Sequence, residues 1–167
     1  IVFFDTLLNR LEAAEIEAVL AHELGHFKRH HVIKRIVTSF AVSLLFLWVL
    51  GYLMQQPWFY SGLGVQVTEV PSTAMALLLF FLVMPVFTFL LQPLSSIYSR
   101  KHEFEADEYA AQQASATDMI QALVKMYQDN AATLTPDPLH SAFYDSHPPA
   151  AIRIAHLKKI IAARATA

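Results

Sequence analysis

Two long apolar segments without a charged residue constrain this chain more than any other feature of its sequence. Residues 36–54 (IVTSFAVSLLFLWVLGYLM) form the first segment and residues 74–97 (AMALLLFFLVMPVFTFLLQPLSSI) form the second. A helix of about 20 apolar residues crosses a bilayer, whereas a helix in a soluble core normally keeps a polar stripe, which these segments lack. The sequence therefore predicts two transmembrane helices, the second kinked at Pro85 and Pro93.

The charges that flank these segments predict how the two helices are oriented. The connecting residues 55–73 contain one acidic residue and no lysine or arginine. Basic residues stand at the opposite ends of both helices: Lys28, Arg29, Lys34, Arg35, Arg100 and Lys101. By the positive-inside rule, 55–73 is expected to be a non-cytoplasmic loop, and segments 1–33 and 98–167 are expected to be cytoplasmic.

Composition narrows the classes of function and the kinds of ligand. Charged residues make up 16% of the chain, against about 25% in soluble domains, and the net charge of −2 gives no reason to expect a nucleic-acid partner. With no cysteine, any metal must be bound by nitrogen and oxygen. The chain starts with residues 1–4 (IVFF) rather than with methionine, which predicts a short N-terminal edge strand and a piece of a larger protein.

The motif His22-Glu23-Leu24-Gly25-His26 follows residues 13–21 (AAEIEAVLA), which are rich in strong helix formers and free of glycine and proline. On a helix, His22 and His26 lie one turn apart on the same face, which is the geometry of two zinc ligands. Glu23 is then placed to act as general base on the attacking water. The reaction that this pattern indicates is hydrolysis of a peptide bond.

A catalytic zinc needs a third protein ligand and an open fourth position. Residues 99–107 (SRKHEFEAD) place Glu103 and Asp107 four apart on one helix face. Glu103 is predicted to bind the metal, and Asp107 to accept a hydrogen bond from a ligand histidine. The alternative is a solvated acidic helix start, and we assign Glu105 and Glu108 to it. The hairpin favours the metal site, because it returns both segments to the same side of the membrane.

The order of HELGH, SRKHEFEAD and SHPPAAIR (residues 146–153) around a transmembrane hairpin resembles the type-I CAAX prenyl proteases, integral-membrane zinc endopeptidases related to HtpX. The resemblance begins at residues 3–8 (FFDTLL) and reaches the C-terminal helix. It implies one mainly α peptidase domain over 1–167, zincin-like (gluzincin) and interrupted by the hairpin. It also implies one Zn²⁺ per chain, bound by His22, His26 and Glu103, and a peptide or protein substrate, with a prenylated C-terminus as one candidate.

The resemblance further implies that His147 contacts the substrate or the oxyanion and that Arg153 lies near that site. The residues alone leave both roles open. His147 precedes Pro148 and could simply mark the entry to a helix at 149–164, and Arg153 could form a structural ion pair.

The remaining histidines are not predicted to bind the metal. His30 and His31 are expected at the membrane-proximal end, because the extended zinc motif needs Gly and His where this chain has Arg29 and Val32. The other three are expected on the surface: His102, His140 and His156.

Two further questions stay open at the level of sequence. The substrate could be a prenylated CAAX protein or a damaged membrane protein, as in quality-control relatives, and the membrane could be a bacterial inner membrane or a membrane of the endoplasmic reticulum type. A rival hypothesis is a non-enzymatic membrane protein with structural zinc, closed by a fourth ligand such as His30 or His147.

Overall fold

The computed structural model describes residues 5, 9–66, 72–129 and 137–166, and within these ranges the regular structure is helical, without a β-strand. The N-terminal edge strand was predicted at residues 1–4, which lie outside the described residues. Seven helices are described: α1 (Ala13–Lys28), α2 (His31–Leu53), α3 (Pro57–Gly62), α4 (Thr73–Gln113), α5 (Ala116–Asp129), α6 (Pro138–Tyr144) and α7 (Ala150–Ala165).

The chain divides into two compact units, Ile33–Leu91 and the combination of Ile1–Val32 with Gln92–Ala167. The first unit contains the apolar parts of α2 and α4. Both helices are long and apolar enough to cross a membrane, and they expose large side chains such as Phe40, Trp48 and Phe81. A helix in a soluble core would bury such residues, so the exposure supports the predicted membrane helices.

A short helix, α3, occupies part of the segment that was predicted as a loop. Its Phe59 and Tyr60 are buried against Leu50 of α2 and Leu79 of α4, and the Tyr60 hydroxyl donates a hydrogen bond to the Met54 carbonyl at 3.0 Å. Pro57 at its first position fits a helix start. Two aromatic residues of this segment therefore form a core between the ends of α2 and α4.

Helix α4 is continuous over 41 residues and passes through both prolines. Glu103 and Asp107 consequently lie far inside a helix rather than at its N-terminus. A negative charge gains its favourable interaction with the helix dipole only within the first turn. The alternative reading of this cluster as an acidic helix start is therefore wrong.

The second unit packs α1, α5 and α7 around a common core. Leu157 of α7 and Met119 and Leu123 of α5 are almost completely buried, and they pack with Ala18 of α1 and Ala111 of α4. A small alanine on α1 and another on α4 leave room for these larger side chains. The core thus fixes α7, which carries Arg153, against α1 and α4, which carry the HELGH motif and Glu103.

Candidate metal centre

Helix α1 is anchored at its start by a buried carboxylate. Glu15 is 1% exposed; it accepts a hydrogen bond from the Glu12 N–H at 2.7 Å, and Lys125 Nζ of α5 lies 2.7 Å from both of its carboxylate oxygens. The hydrogen bond from Lys125 holds the pKa of Glu15 below its usual value, against the opposing effect of burial. This anchor fixes the orientation of the helix that carries His22 and His26.

Three side chains from α1 and α4 form a triangle of possible ligand atoms. His22 Nε2 lies 3.1 Å from His26 Nε2 and 3.6 Å from Glu103 Oε2, and His26 Nε2 lies 3.5 Å from Glu103 Oε1. Bonds of about 2.0–2.1 Å in a tetrahedron separate neighbouring ligand atoms by roughly 3.3 Å. With one ligand atom taken from each residue, the three atoms lie within 4.8 Å of one another, so they are close enough to bind a single metal ion.

The protonation of His26 and the hydrogen bonding of His22 suit metal binding. Burial and the neighbouring charge of His22 lower the pKa of His26 to about 4, so its imidazole is neutral at neutral pH, which is the form that binds a metal. His22 Nδ1 lies 3.0 Å from Asp107 Oδ1. If Nδ1 donates to Asp107, the lone pair of Nε2 is left to face Glu103 and His26.

Arg153 lies behind this triangle rather than at its solvent side. It is 7% exposed, and its guanidinium binds both oxygens of Asp107, with Nε donating to Oδ2 at 2.9 Å and Nη2 donating to Oδ1. Its Nη1 lies 3.4 Å from Glu103 Oε2. Burial alone would lower the pKa of Arg153, but the hydrogen bonds to Asp107 and the charges of Asp107 and Glu103 raise it. Arg153 is therefore a fixed cation that holds two carboxylates of the site.

His147 and Glu23 are on the accessible side of the site. The side chain of His147 is 66% exposed, and its Nδ1 lies 3.1 Å from Glu103 Oε1. The hydrogen bond with Glu103 raises the pKa of His147. Glu23, one residue after His22, is exposed on α1.

The described residues also bear on the rival hypothesis of a closed structural site. Among them, the group of side chains that could bind one metal ion consists of His22, His26 and Glu103. Three protein ligands leave a position for water or substrate, as in catalytic zinc sites.

Three residues of this region make contacts that the sequence did not predict. His31 was expected at the membrane-proximal end, and it begins α2, a candidate membrane helix. It is also 3% exposed, and its Nδ1 lies 3.0 Å from His26 Nδ1, which the sequence did not indicate. Glu105 was assigned to the solvated acidic residues, but its Oε2 lies 3.0 Å from His31 Nε2. His102 was expected on the surface, whereas it is buried and its ring stacks on that of His31.

Of the other two histidines that were expected on the surface, one is exposed and the other is not. His140 is exposed, whereas His156 is partly buried and packs its ring against Phe104.

Comparisons with known proteins place the chain in a peptidase family. The model of a peptidase family, peptidase family M48, matches residues 1–161. The chain belongs to that family. It is 31% identical to CAAX prenyl protease 1 of Saccharomyces cerevisiae over 94% of its length and 32% identical to the CAAX prenyl protease 1 homolog of Homo sapiens over 86%. The resemblance inferred from the motifs is thereby confirmed.

A solved structure shares the fold. The crystal structure of S. mikatae Ste24p matches 93% of the chain with a TM-score of 0.78 and 32% sequence identity. The chain spans 38% of that protein, and 37% and 30% of the yeast and human relatives.

Proposed function

We propose that this chain carries the catalytic centre of a zinc-dependent membrane metalloendopeptidase of the CAAX prenyl protease type. The observation that carries the proposal is the triangle of His22, His26 and Glu103, whose ligand atoms lie close enough together to bind one metal ion. Bound there, zinc would lower the pKa of water and polarise the scissile carbonyl as a Lewis acid.

The side chains around the triangle have separate roles in proton transfer, stabilisation of negative charge and positioning of the ligands. Glu23 is the general base: its carboxylate takes the proton of the attacking water as the oxygen bonds to the carbonyl carbon. It then passes that proton to the amine nitrogen as the C–N bond breaks. His147, whose pKa is raised by its hydrogen bond with Glu103, donates a hydrogen bond to the substrate carbonyl oxygen as negative charge develops on it. Asp107 and Arg153 hold His22 and Glu103 in position.

A prenylated C-terminal peptide is the substrate that we propose, and the membrane is its route to the site. The relatives named above are CAAX prenyl proteases, and the two apolar helices support embedding in a bilayer, where a lipid-modified peptide partitions. The catalytic segments 1–33 and 98–167 would face the cytoplasm, since the basic residues flank that end of the hairpin. A quality-control protease that cleaves unfolded membrane proteins is the second candidate.

The decisive variant is Glu23→Gln, compared with Glu17→Gln at an exposed position of the same helix. In the full-length protein, Glu23→Gln should keep one zinc per chain and lose roughly 10²- to 10⁴-fold in turnover of a farnesylated CAAX peptide, while Glu17→Gln should match the wild type. Turnover retained by Glu23→Gln would refute the mechanism. Cleavage of casein but not of the lipidated peptide would favour the quality-control candidate.

Metal content tests the ligand set and the rival hypothesis separately. Glu103→Ala should lower the zinc content of the purified protein, and a chelator should abolish cleavage. Full activity after zinc removal, or unchanged zinc in Glu103→Ala, would contradict the assignment. A fourth protein ligand detected by zinc X-ray absorption, together with absent peptidase activity, would favour structural zinc.

A further inference from the structure

The proposed ligand His26 has a second ring nitrogen whose partner is another imidazole. His26 Nδ1 and His31 Nδ1 are 3.0 Å apart, and two ring nitrogens at this distance form a hydrogen bond only if one carries a proton and the other a lone pair. His26 Nε2 points into the triangle, where it needs its lone pair for the metal. Its proton therefore belongs on Nδ1, which donates to His31 Nδ1.

The same reasoning places the proton of His31 on the ring nitrogen that faces a carboxylate. Because His31 Nδ1 accepts from His26, the proton of a neutral His31 lies on Nε2, and Nε2 is 3.0 Å from Glu105 Oε2. The hydrogen bonds thus run from His26 to His31 to Glu105. His22 reaches its carboxylate, Asp107, directly, whereas His26 reaches one through an intervening imidazole.

The ring of His31 is held in this orientation by its surroundings. It is 3% exposed and lies flat on the ring of His102, with centroids 4.1 Å apart and an interplanar angle of 8°. Tyr98 packs edge-on against His102 on α4, at 4.4 Å, so His31 stacks on a ring that is itself packed. Because the ring is packed and each nitrogen has a hydrogen-bond partner, His31 has little freedom to rotate away from His26 and Glu105.

We propose that His31, oriented by Glu105, is a positioning residue that sets the tautomer and ring orientation of His26 for metal binding. The inference rests on the proposed function, since it assumes a metal at the triangle. His31 is not itself a ligand in this arrangement, because its Nδ1 faces the side of His26 that points away from the triangle.

Zinc release measures this role without relying on peptidase activity. The full-length protein loaded with zinc is mixed with an excess of a chromophoric chelator, and the rate of zinc transfer is recorded. His31→Phe keeps a flat ring to stack on His102 and removes both nitrogens. Loss of such an outer partner typically costs about 10- to 100-fold in metal affinity, so we expect zinc release to be faster by that factor.

A conservative variant and a neighbouring control separate positioning from a general structural role. In His31→Asn the amide oxygen can take the place of Nδ1 and accept from His26, so release should return to within a few-fold of the wild-type rate. The matched control is His30→Asn: His30 is exposed and has φ of 56°, a conformation that asparagine tolerates. It should release zinc at the wild-type rate.

The outcomes that overturn the inference are distinct from those that overturn the proposed function. Equal release rates for His31→Phe and His30→Asn, in a protein that holds stoichiometric zinc and loses it in Glu103→Ala, would refute the role of His31 alone. A wild type without stoichiometric zinc would refute both proposals. If His31→Phe does not fold, Glu105→Leu replaces it, and a release rate equal to that of Glu108→Leu would refute the inference.

Discussion

Gly25 of α1 lies directly against Ala106 of α4. A Cβ atom on residue 25 would stand 3.1 Å from the Ala106 Cα and 3.2 Å from its carbonyl oxygen, with Tyr109 Cβ also at 3.1 Å. Two of these neighbours are backbone atoms, which cannot move aside without moving the helix. Since Ala106 lies between Glu103 and Asp107 in sequence, this contact sets how closely the two histidines of α1 approach those carboxylates.

Replacing Gly25 with alanine should therefore push α1 and α4 apart by a few tenths of an ångström. The triangle of ligand atoms would widen, and we expect zinc affinity and turnover to fall by on the order of tenfold, given that a 1 Å misplacement costs about 100-fold. The measurements are the zinc dissociation constant by chelator competition and the rate of peptide cleavage.

The control for this substitution is Gly51→Ala on α2, where an added Cβ meets nothing within 4 Å. Both glycines are in helices, so both variants gain the roughly 1 kcal/mol by which alanine favours a helix over glycine. Normal zinc affinity in Gly25→Ala would show that the helix spacing does not control the site.

The parts of this site that sequence could predict are those that follow from spacing within one helix. His22 and His26 lie on one face because they are four residues apart, and Glu103 and Asp107 do so for the same reason. The two candidate membrane helices were predicted from their lack of charged residues. Each of these patterns depends on local geometry or on composition.

The contacts that the sequence did not indicate arise where a helix ends or where distant parts of the chain pack together. If the four-residue spacing of His22 and His26 continued, the next residue on that face would be His30. However, α1 ends at Lys28 and His30 has a positive φ, so the helical spacing is interrupted there. As a result, His31 rather than His30 contacts His26. The Glu15–Lys125 pair joins residues 110 positions apart. No pattern within a helix indicates such a partner.

Arg153 leads to a second prediction, because it is a buried cation whose hydrogen bonds a lysine cannot reproduce. Arg153→Lys keeps the charge but loses the two-pronged contact with Asp107. Removing one partner of a buried ion pair costs about 3–5 kcal/mol; the lysine variant should lose part of this free energy of unfolding and release zinc faster. Thermal unfolding in detergent measures the change in stability, and chelator competition measures the rate of zinc release.

An exposed arginine provides the comparison for this change. Arg35 is exposed at the start of α2, and Arg35→Lys should alter neither the unfolding temperature nor the zinc release rate. If Arg153→Lys behaves in the same way, the guanidinium geometry is unimportant and charge alone suffices beside Asp107 and Glu103.

The Glu15–Lys125 pair predicts an acid-dependent contribution to stability that lies outside the metal site. The pKa of Glu15 is lowered in the folded state, so its contribution is present above the unfolded pKa, about 4.3, and is lost as the pH falls through the folded pKa. Glu15→Gln should therefore be less stable than the wild type at pH 7, and the difference should shrink as the pH falls below the unfolded pKa and close below the folded pKa. Denaturant unfolding of both proteins at several pH values measures the gap, with Glu17→Gln as the exposed control. A gap that stays constant down to pH 3 would show that the charge of Glu15 does not stabilise the fold.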